Sequence, residues 1–242
     1  MTWLPEQATA EPGEPRTSEF ERVFGLRQNL FAAWREFAAL LWEKRLAPPV
    51  ILQLVQLRVR QLHGLPVGGA RRMSEALEAG WDESRVAQLG AWWKSPHFDA
   101  TERACLRLAE QFVLDAKGIT GEEVAPVRAA LGDATVVALV EALAIFDGFT
   151  RFQKMLGIAS AESASPPSRR RESSVVKVSS MRIALPRPLG DDPIQASVLA
   201  HQPEALAAFM KLYGRLWSRG LLSHSTKEMA RLRSARTVDC GF

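Results

Sequence analysis

The sequence predicts an all-α protein, and three observations carry that prediction. Apolar residues recur at three- and four-residue intervals through most of the chain, the period of an amphipathic helix. The periodic segments are bounded by Pro, Gly or an Asp or Thr that can cap a helix. No stretch between residues 18 and 160 alternates with period two for long enough to demand a strand.

Residues 1–19 open with Pro5, Pro12, Gly13 and Pro15, which oppose regular structure, and read as an extended arm. Ser18 with Glu21 has capping-box spacing, and from there Phe24, Leu30, Phe31, Trp34, Phe37 and Leu41 mark a helix to about Arg45. Pro48 and Pro49 open a second helix running to His63 and Gly64. Further helices are expected over 70–79, 83–93, 100–116, 121–131 and 133–156. These make one helical domain over 20–158. Residues 159–180, ASAESASPPSRRRESSVVKVSS, read as a Ser/Pro/Arg linker whose run Arg169 to Arg171 is solvated charge. Helical signal returns over about 193–200, 202–219 and 223–238, within a last unit of 181–242.

Composition narrows the function classes. The chain has 242 residues, 47% hydrophobic and 24% charged, which excludes global disorder and a collagen-like fibre. Lys and Arg number 31 against 27 Asp and Glu, a net +4 spread along the chain, so nucleic acid is not an expected partner. Cys105 and Cys240 make no disulfide framework, and a reducing cytoplasm is the expected setting. The N-terminus lacks a signal-peptide pattern, and no run of about 18 uncharged apolar residues predicts a membrane span. Walker, dinucleotide-binding, H-E-x-x-H and G-x-S-x-G motifs are absent from the sequence.

The chain also repeats itself. Residues 26–67 align without gaps on 201–242 at a constant offset of 175, with 7 of 42 positions identical. Ala32-Ala33 falls on Ala207-Ala208, Leu41-Trp42 on Leu216-Trp217, Leu46 on Leu221 and Leu57-Arg58 on Leu232-Arg233. Phe31, Trp34 and Phe37 meet apolar Leu206, Phe209 and Leu212. The C-terminal unit therefore reads as the first helices of a second, incomplete copy, and its apolar stripe is expected to be buried against the first domain or another chain.

Several segments resemble the carboxymuconolactone decarboxylase family, in its alkylhydroperoxidase D (AhpD)-like branch. They are the Glu78-Ala79-Gly80 turn before a short helix, the loop WKSPHF from Trp93 to Phe98, and TERACLRLAE from Thr101 to Glu110. The resemblance covers about 20–158 as a whole unit and 181–242 as the start of another. It implies an all-helical homo-oligomer and a thiol-dependent peroxidase or disulfide reductase. Active members carry a Glu twelve residues before C-x-x-C-x-x-x-H. Thiols at a helix start are favoured as thiolates, and Glu with His moves the proton. The second Cys attacks the peroxide and the first resolves the sulfenic acid as a disulfide, which a dithiol reductant then reduces. Peroxide or disulfide substrate and that dithiol are thus the implied partners, with neither cofactor nor metal.

Carried over residue by residue, the pattern divides the two copies. In the first, Gln53 takes the Glu position, Leu65 and Gly68 the two Cys positions, and Arg72 the His position. None of these can act as nucleophile or titrate near neutrality, so this copy reads as degenerate. In the second, Glu228 takes the Glu position and Cys240 the first Cys position, twelve residues on. The next motif position, 243, follows Phe242 directly, and the expectation drawn from this is a selenoprotein interrupted at a UGA codon. A UGA at codon 243 with a His codon in frame at 247 is the expected nucleotide sequence.

Other residues read as structural. Cys105, between Ala104 and Leu106, is expected to be core packing. His63 and His97 have no ligand partner at metal spacing and read as helix-end and loop residues. Trp92 and Trp93 read as core or interface aromatics. Two alternatives stand beside the peroxidase: a catalytically inactive helical oligomerisation module, and a lactone decarboxylase, which needs no resolving thiol.

Overall fold

The computed structural model describes residues 19–158 and 198–237. Among them there are helices and no strand. Helices α1 (Glu19–Gly25) and α2 (Gln28–Glu43) replace the single expected helix, because backbone bonds from Leu26 and Arg27 back to Val23 and Phe24 close a turn between them. Helix α3 (Pro49–Leu62) begins at its proline, whose missing N–H costs nothing at a first turn. The expected helix over 70–79 is only α4 (Ser74–Glu78). The one over 83–93 is α5 (Ser84–Gln88) followed by a 3₁₀ segment, Leu89–Lys94.

Two capping boxes set the next elements. Asp99 accepts from the Glu102 N–H at 2.8 Å and Glu102 accepts from the Asp99 N–H at 3.0 Å, starting α6 (Ala100–Leu114). Thr120 and Glu123 do the same for α7 (Gly121–Met155). The two helices expected on either side of Gly132 form this one element, broken at Gly132, where φ is 78° and ψ 165°. After residues 159–197, which lie outside the described set with the linker, a 3₁₀ turn (Val198–His201) leads into α8 (Pro203–Ser218) and then α9 (His224–Thr237).

Helix α3 is the centre of the packing. Leu52, Val55 and Val59 join Phe37 and Leu41 of α2, Cys105 and Leu108 of α6, and Leu139 and Leu143 of α7 in the main core. Leu54 and Leu57 join a second cluster with Leu89, Trp92, Phe98 and Leu106. Helix α7 is also long and apolar enough to cross a membrane, with mean hydropathy 1.9 over its most apolar stretch. Here it packs against α3 and α6, and it carries Glu141 and Asp147.

The bounds of four helices follow the offset of 175. Helix α8 begins 175 residues after α2 and ends 175 residues after it, and α9 begins 175 residues after α3. Helix α8 lies on α2, burying Ala205, Leu206, Ala208 and Leu212 and adding Ala205 and Ala208 to the main core. Trp42 meets Phe146, Trp34 meets Phe149 and Phe24 meets Phe152, so α7 runs antiparallel to α2. Gln202 donates to the carbonyl of Ala134, which places the start of α8 beyond Trp42; α8 therefore runs antiparallel to α2. The Lys211 ammonium pairs with the Glu36 carboxylate, and these positions are equivalent in the two copies. Equivalent residues that meet each other mark a two-fold relation between the helices. Helix α9 corrects the expectation of a buried stripe across 202–238, for none of its residues is buried. Its Lys227, Ala230 and Ser234 stand where α3 has Leu52, Val55 and Val59.

Two outcomes follow from this packing. Gly132 sits in a backbone region essentially reserved for glycine, with open space around its Cα. Gly132→Ala is expected to cost ~1–3 kcal/mol from backbone strain alone, measured by denaturant unfolding. Glu141 is buried, neither carboxylate oxygen has a hydrogen-bond partner, and burial pushes its carboxyl up from 4.5 to about 7. Between those values the folded chain keeps a proton that the unfolded chain has lost. Stability is thus fully present below the lower value and falls as pH rises through the upper one, by ~3 kcal/mol. Glu141→Gln is expected to flatten that pH dependence in thermal melts; an unchanged slope would assign it to another group.

Candidate functional site

The first-copy motif positions gather around the C-terminal end of α3 and the irregular segment 63–73. Gln53 is completely buried on α3. Its amide oxygen accepts the Met73 N–H at 2.8 Å and its amide nitrogen donates to Gln56 at 3.0 Å. Gln53 thus borders the segment that carries Arg72 through the backbone of Met73, and the groups at these two positions are an amide and a guanidinium. Leu65 is buried, and its N–H bonds the Arg60 carbonyl at 2.9 Å. Gly68 is exposed.

Arg72 explains why this segment is a loop. Its guanidinium donates to the Val67 carbonyl at 3.1 Å and to the Ala70 carbonyl, and it grips Glu83 through two bonds of 2.5 and 2.8 Å. It also lies over the Trp81 ring, 5.9 Å from its centre. The indole N–H of Trp81 donates to the same Glu83 carboxylate at 2.8 Å. One planar cation thus fastens two loop carbonyls to the start of α5, a task matched to its five fixed donors. The resemblance implies thiols at a helix start; in the first copy positions 65 and 68 lie before α4, outside any helix.

Arg60 borders the same loop. It donates to Gln153 at 2.9 Å and, more weakly, to the Pro66 carbonyl. Burial, and then the nearby Arg72 charge, hold its pKa below the usual guanidinium value. His63, for which sequence spacing offered no carboxylate, meets Asp147 across 84 residues of chain at 2.6 Å. Burial alone would raise the Asp147 carboxyl, but bonds from His63 and Arg151 outweigh it and hold the group below its ordinary value. Hydrophobic periodicity contains no signal for such a long-range pair. His97 is exposed on its loop, while Trp92 is buried in the second cluster and Trp93 is exposed.

The second-copy positions are less enclosed. Glu228 is half-exposed on α9, where hydrogen bonds from Arg231, with a smaller contribution from its charge, keep the carboxyl ionised to lower pH than usual. Cys240 lies outside the described residues. Cys105 is buried in the main core, and burial, followed by the Asp99 and Glu102 charges, pushes its thiol up to about 12. A thiol so raised is a packing group, because the thiolate is the nucleophile. Among the described residues no three His, Cys, Asp or Glu side chains converge as a metal site would require.

Arg72 and Glu83 offer a direct test. Arg72→Ala is expected to destabilise the domain by ~1–3 kcal/mol and to expose the amides of residues 65–73 to hydrogen exchange. Arg72→Lys is expected to lose nearly as much, since an ammonium cannot reproduce the two-point grip. Full retention of stability by the lysine variant would show that charge alone suffices. Comparison of the chain with known protein families, curated proteins and solved structures returns no match.

Proposed function

We propose that this chain is an AhpD-like thiol-dependent peroxidase or disulfide reductase of the reducing cytoplasm, working as a homo-oligomer. Its first copy serves as scaffold and its second copy carries the reactive groups. The observation that supports this most is the common offset of 175 between the paired helices, which puts Glu228 in the register of Gln53. Cys240 follows Glu228 by twelve residues, the motif spacing. The closure of the first site by Gln53, Leu65 and Arg72 explains why chemistry is assigned to the second copy alone.

In this reading the motif thiolate attacks the distal peroxide oxygen, the O–O bond breaks, and the alcohol leaves with the thiol's own proton, relayed by the Glu228 carboxylate. The sulfenic acid condenses with one thiol of an external dithiol to give a mixed disulfide and water. The second thiol of that dithiol then displaces the protein thiol and closes the dithiol's own disulfide. For disulfide reduction, the motif thiolate attacks the substrate disulfide, one substrate thiol leaves, and the external dithiol releases the other by the same exchange.

Peroxide consumption by the full chain with excess small dithiol tests the proposal. Cys240→Ser is expected to abolish turnover above the uncatalysed rate, and Glu228→Gln to lower it by ~10²-fold. Cys105→Ser is expected to leave it unchanged, and in native Cys240→Ser no thiol should titrate with a disulfide reagent at pH 8. No turnover above the uncatalysed rate in the unsubstituted chain would favour the inactive oligomerisation module, a reading that the closed first site also supports.

A further inference from the structure

Positive charge is left over beside the loop that follows α3. Between Glu43 and Glu75 the chain has no acidic residue, yet it carries Lys44, Arg45, Arg58, Arg60, Arg71 and Arg72. Carboxylates for this stretch have to come from elsewhere in the fold. Glu78 pairs with Arg45, Glu110 with Arg58 and Glu83 with Arg72. Asp147 of α7 is shared by His63 and Arg151.

Arg60 receives none. Its partners are two neutral oxygens, the Gln153 amide at 2.9 Å and the Pro66 carbonyl at 3.4 Å. Its Nε is buried and has no acceptor, and the charge that acts on the group is the like charge of Arg72. Arginine does not escape such a position by giving up its proton, so an enclosed guanidinium without a counter-charge calls for an anion.

The loop adds further donors. Gly68 and Gly69 form the exposed tip of a turn closed by the Ala70 N–H on the Val67 carbonyl at 3.2 Å. Among the described residues neither tip N–H has an acceptor, and the space around both Cα atoms is open. Arg60 is tied to this loop through Pro66, and Arg72 through Val67 and Ala70. Arg71, beside them, is exposed.

We infer that the Gly68-Gly69 turn, with Arg60, is a binding site for a phosphate group, carried either by free phosphate or by a phosphate monoester. The additional oxygens of phosphate let it accept from a guanidinium and from backbone N–H groups at once, which a carboxylate does less well. Glycine at the tip leaves the backbone open to close approach. The inference concerns the first copy alone and stands whether or not Cys240 is redox-active.

Calorimetric titration of the full-length protein with inorganic phosphate, at an ionic strength held constant with sodium chloride, tests it. Saturable binding is expected, weakened about tenfold or more by Arg60→Met. Gly68→Asp puts a fixed carboxylate at the exposed tip without touching a buried group, and is expected to weaken binding to a similar degree. Circular dichroism checks that each variant keeps the fold. Phenyl phosphate as a second titrant separates the two sources: tighter binding than inorganic phosphate assigns the group to a monoester, weaker binding to the free ion. Acetate is expected to bind at least about tenfold more weakly than either. Absence of saturable binding by both phosphates, equal affinity in the unsubstituted chain and the two variants, or acetate binding as tight as phosphate would overturn the inference. A purely structural Arg60 would lower the thermal stability on substitution and leave no phosphate affinity to lose.

Discussion

The burial of α3 on nearly all its faces is the constraint on which the rest of the domain depends. A helix enclosed in this way must be apolar around much of its circumference, and Leu52, Leu54, Val55, Leu57 and Val59 meet that demand. Two hydrophobic clusters form because α3 has two covered sides, one toward α2, α6 and α7 and the other toward the WWKSPHF loop. Its polar residues are then compelled to find partners: Gln53 with Met73, Arg58 with Glu110, and Arg60 with Gln153. The same enclosure fixes where the chain emerges at His63 and so positions the segment in which the motif would lie.

Helix α9 shows the converse. It occupies the same register relative to α8 as α3 does to α2, yet polar side chains replace much of the apolar ring. A helix of this composition gains little from burial on every side and retains only a narrow apolar strip. That difference places Gln53 in a sealed interior and Glu228 in contact with water. The ionisation of Glu228 follows from its exposure and from Arg231 rather than from any enclosed site.

What was legible in the sequence was the part governed by local chemistry. Period and caps identify α3, α6, α8 and α9, and Gly132 announces the break inside α7 because a positive φ there suits glycine. The turn between α1 and α2 was hidden, since the apolar period runs straight through Leu26 and Leu30. The shortness of α4 was hidden for a different reason: Arg72 draws residues 67 and 70 toward Glu83, a tertiary demand that overrides helical propensity. Asp147, which answers His63, and Glu110, which answers Arg58, were invisible at separations of 84 and 52 residues. That Gln53, Leu65, Gly68 and Arg72 carry no thiol or titrating group was readable from the sequence; the hydrogen bonds that Gln53 and Arg72 make were not.

The meeting of Glu36 with Lys211 has an evolutionary meaning. In a pair of identical chains, a residue on the symmetry axis faces its own copy, and any charge there opposes itself. Duplication within one chain lifts that restriction, because the two copies of the position are encoded separately and can acquire opposite signs. Both groups are about half exposed, so the attraction adds little stability. Its value is discrimination: the Glu36 carboxylate attracts the Lys211 ammonium and would repel another Glu36. Opposite charges at the two positions make the contact between α2 and α8 directional.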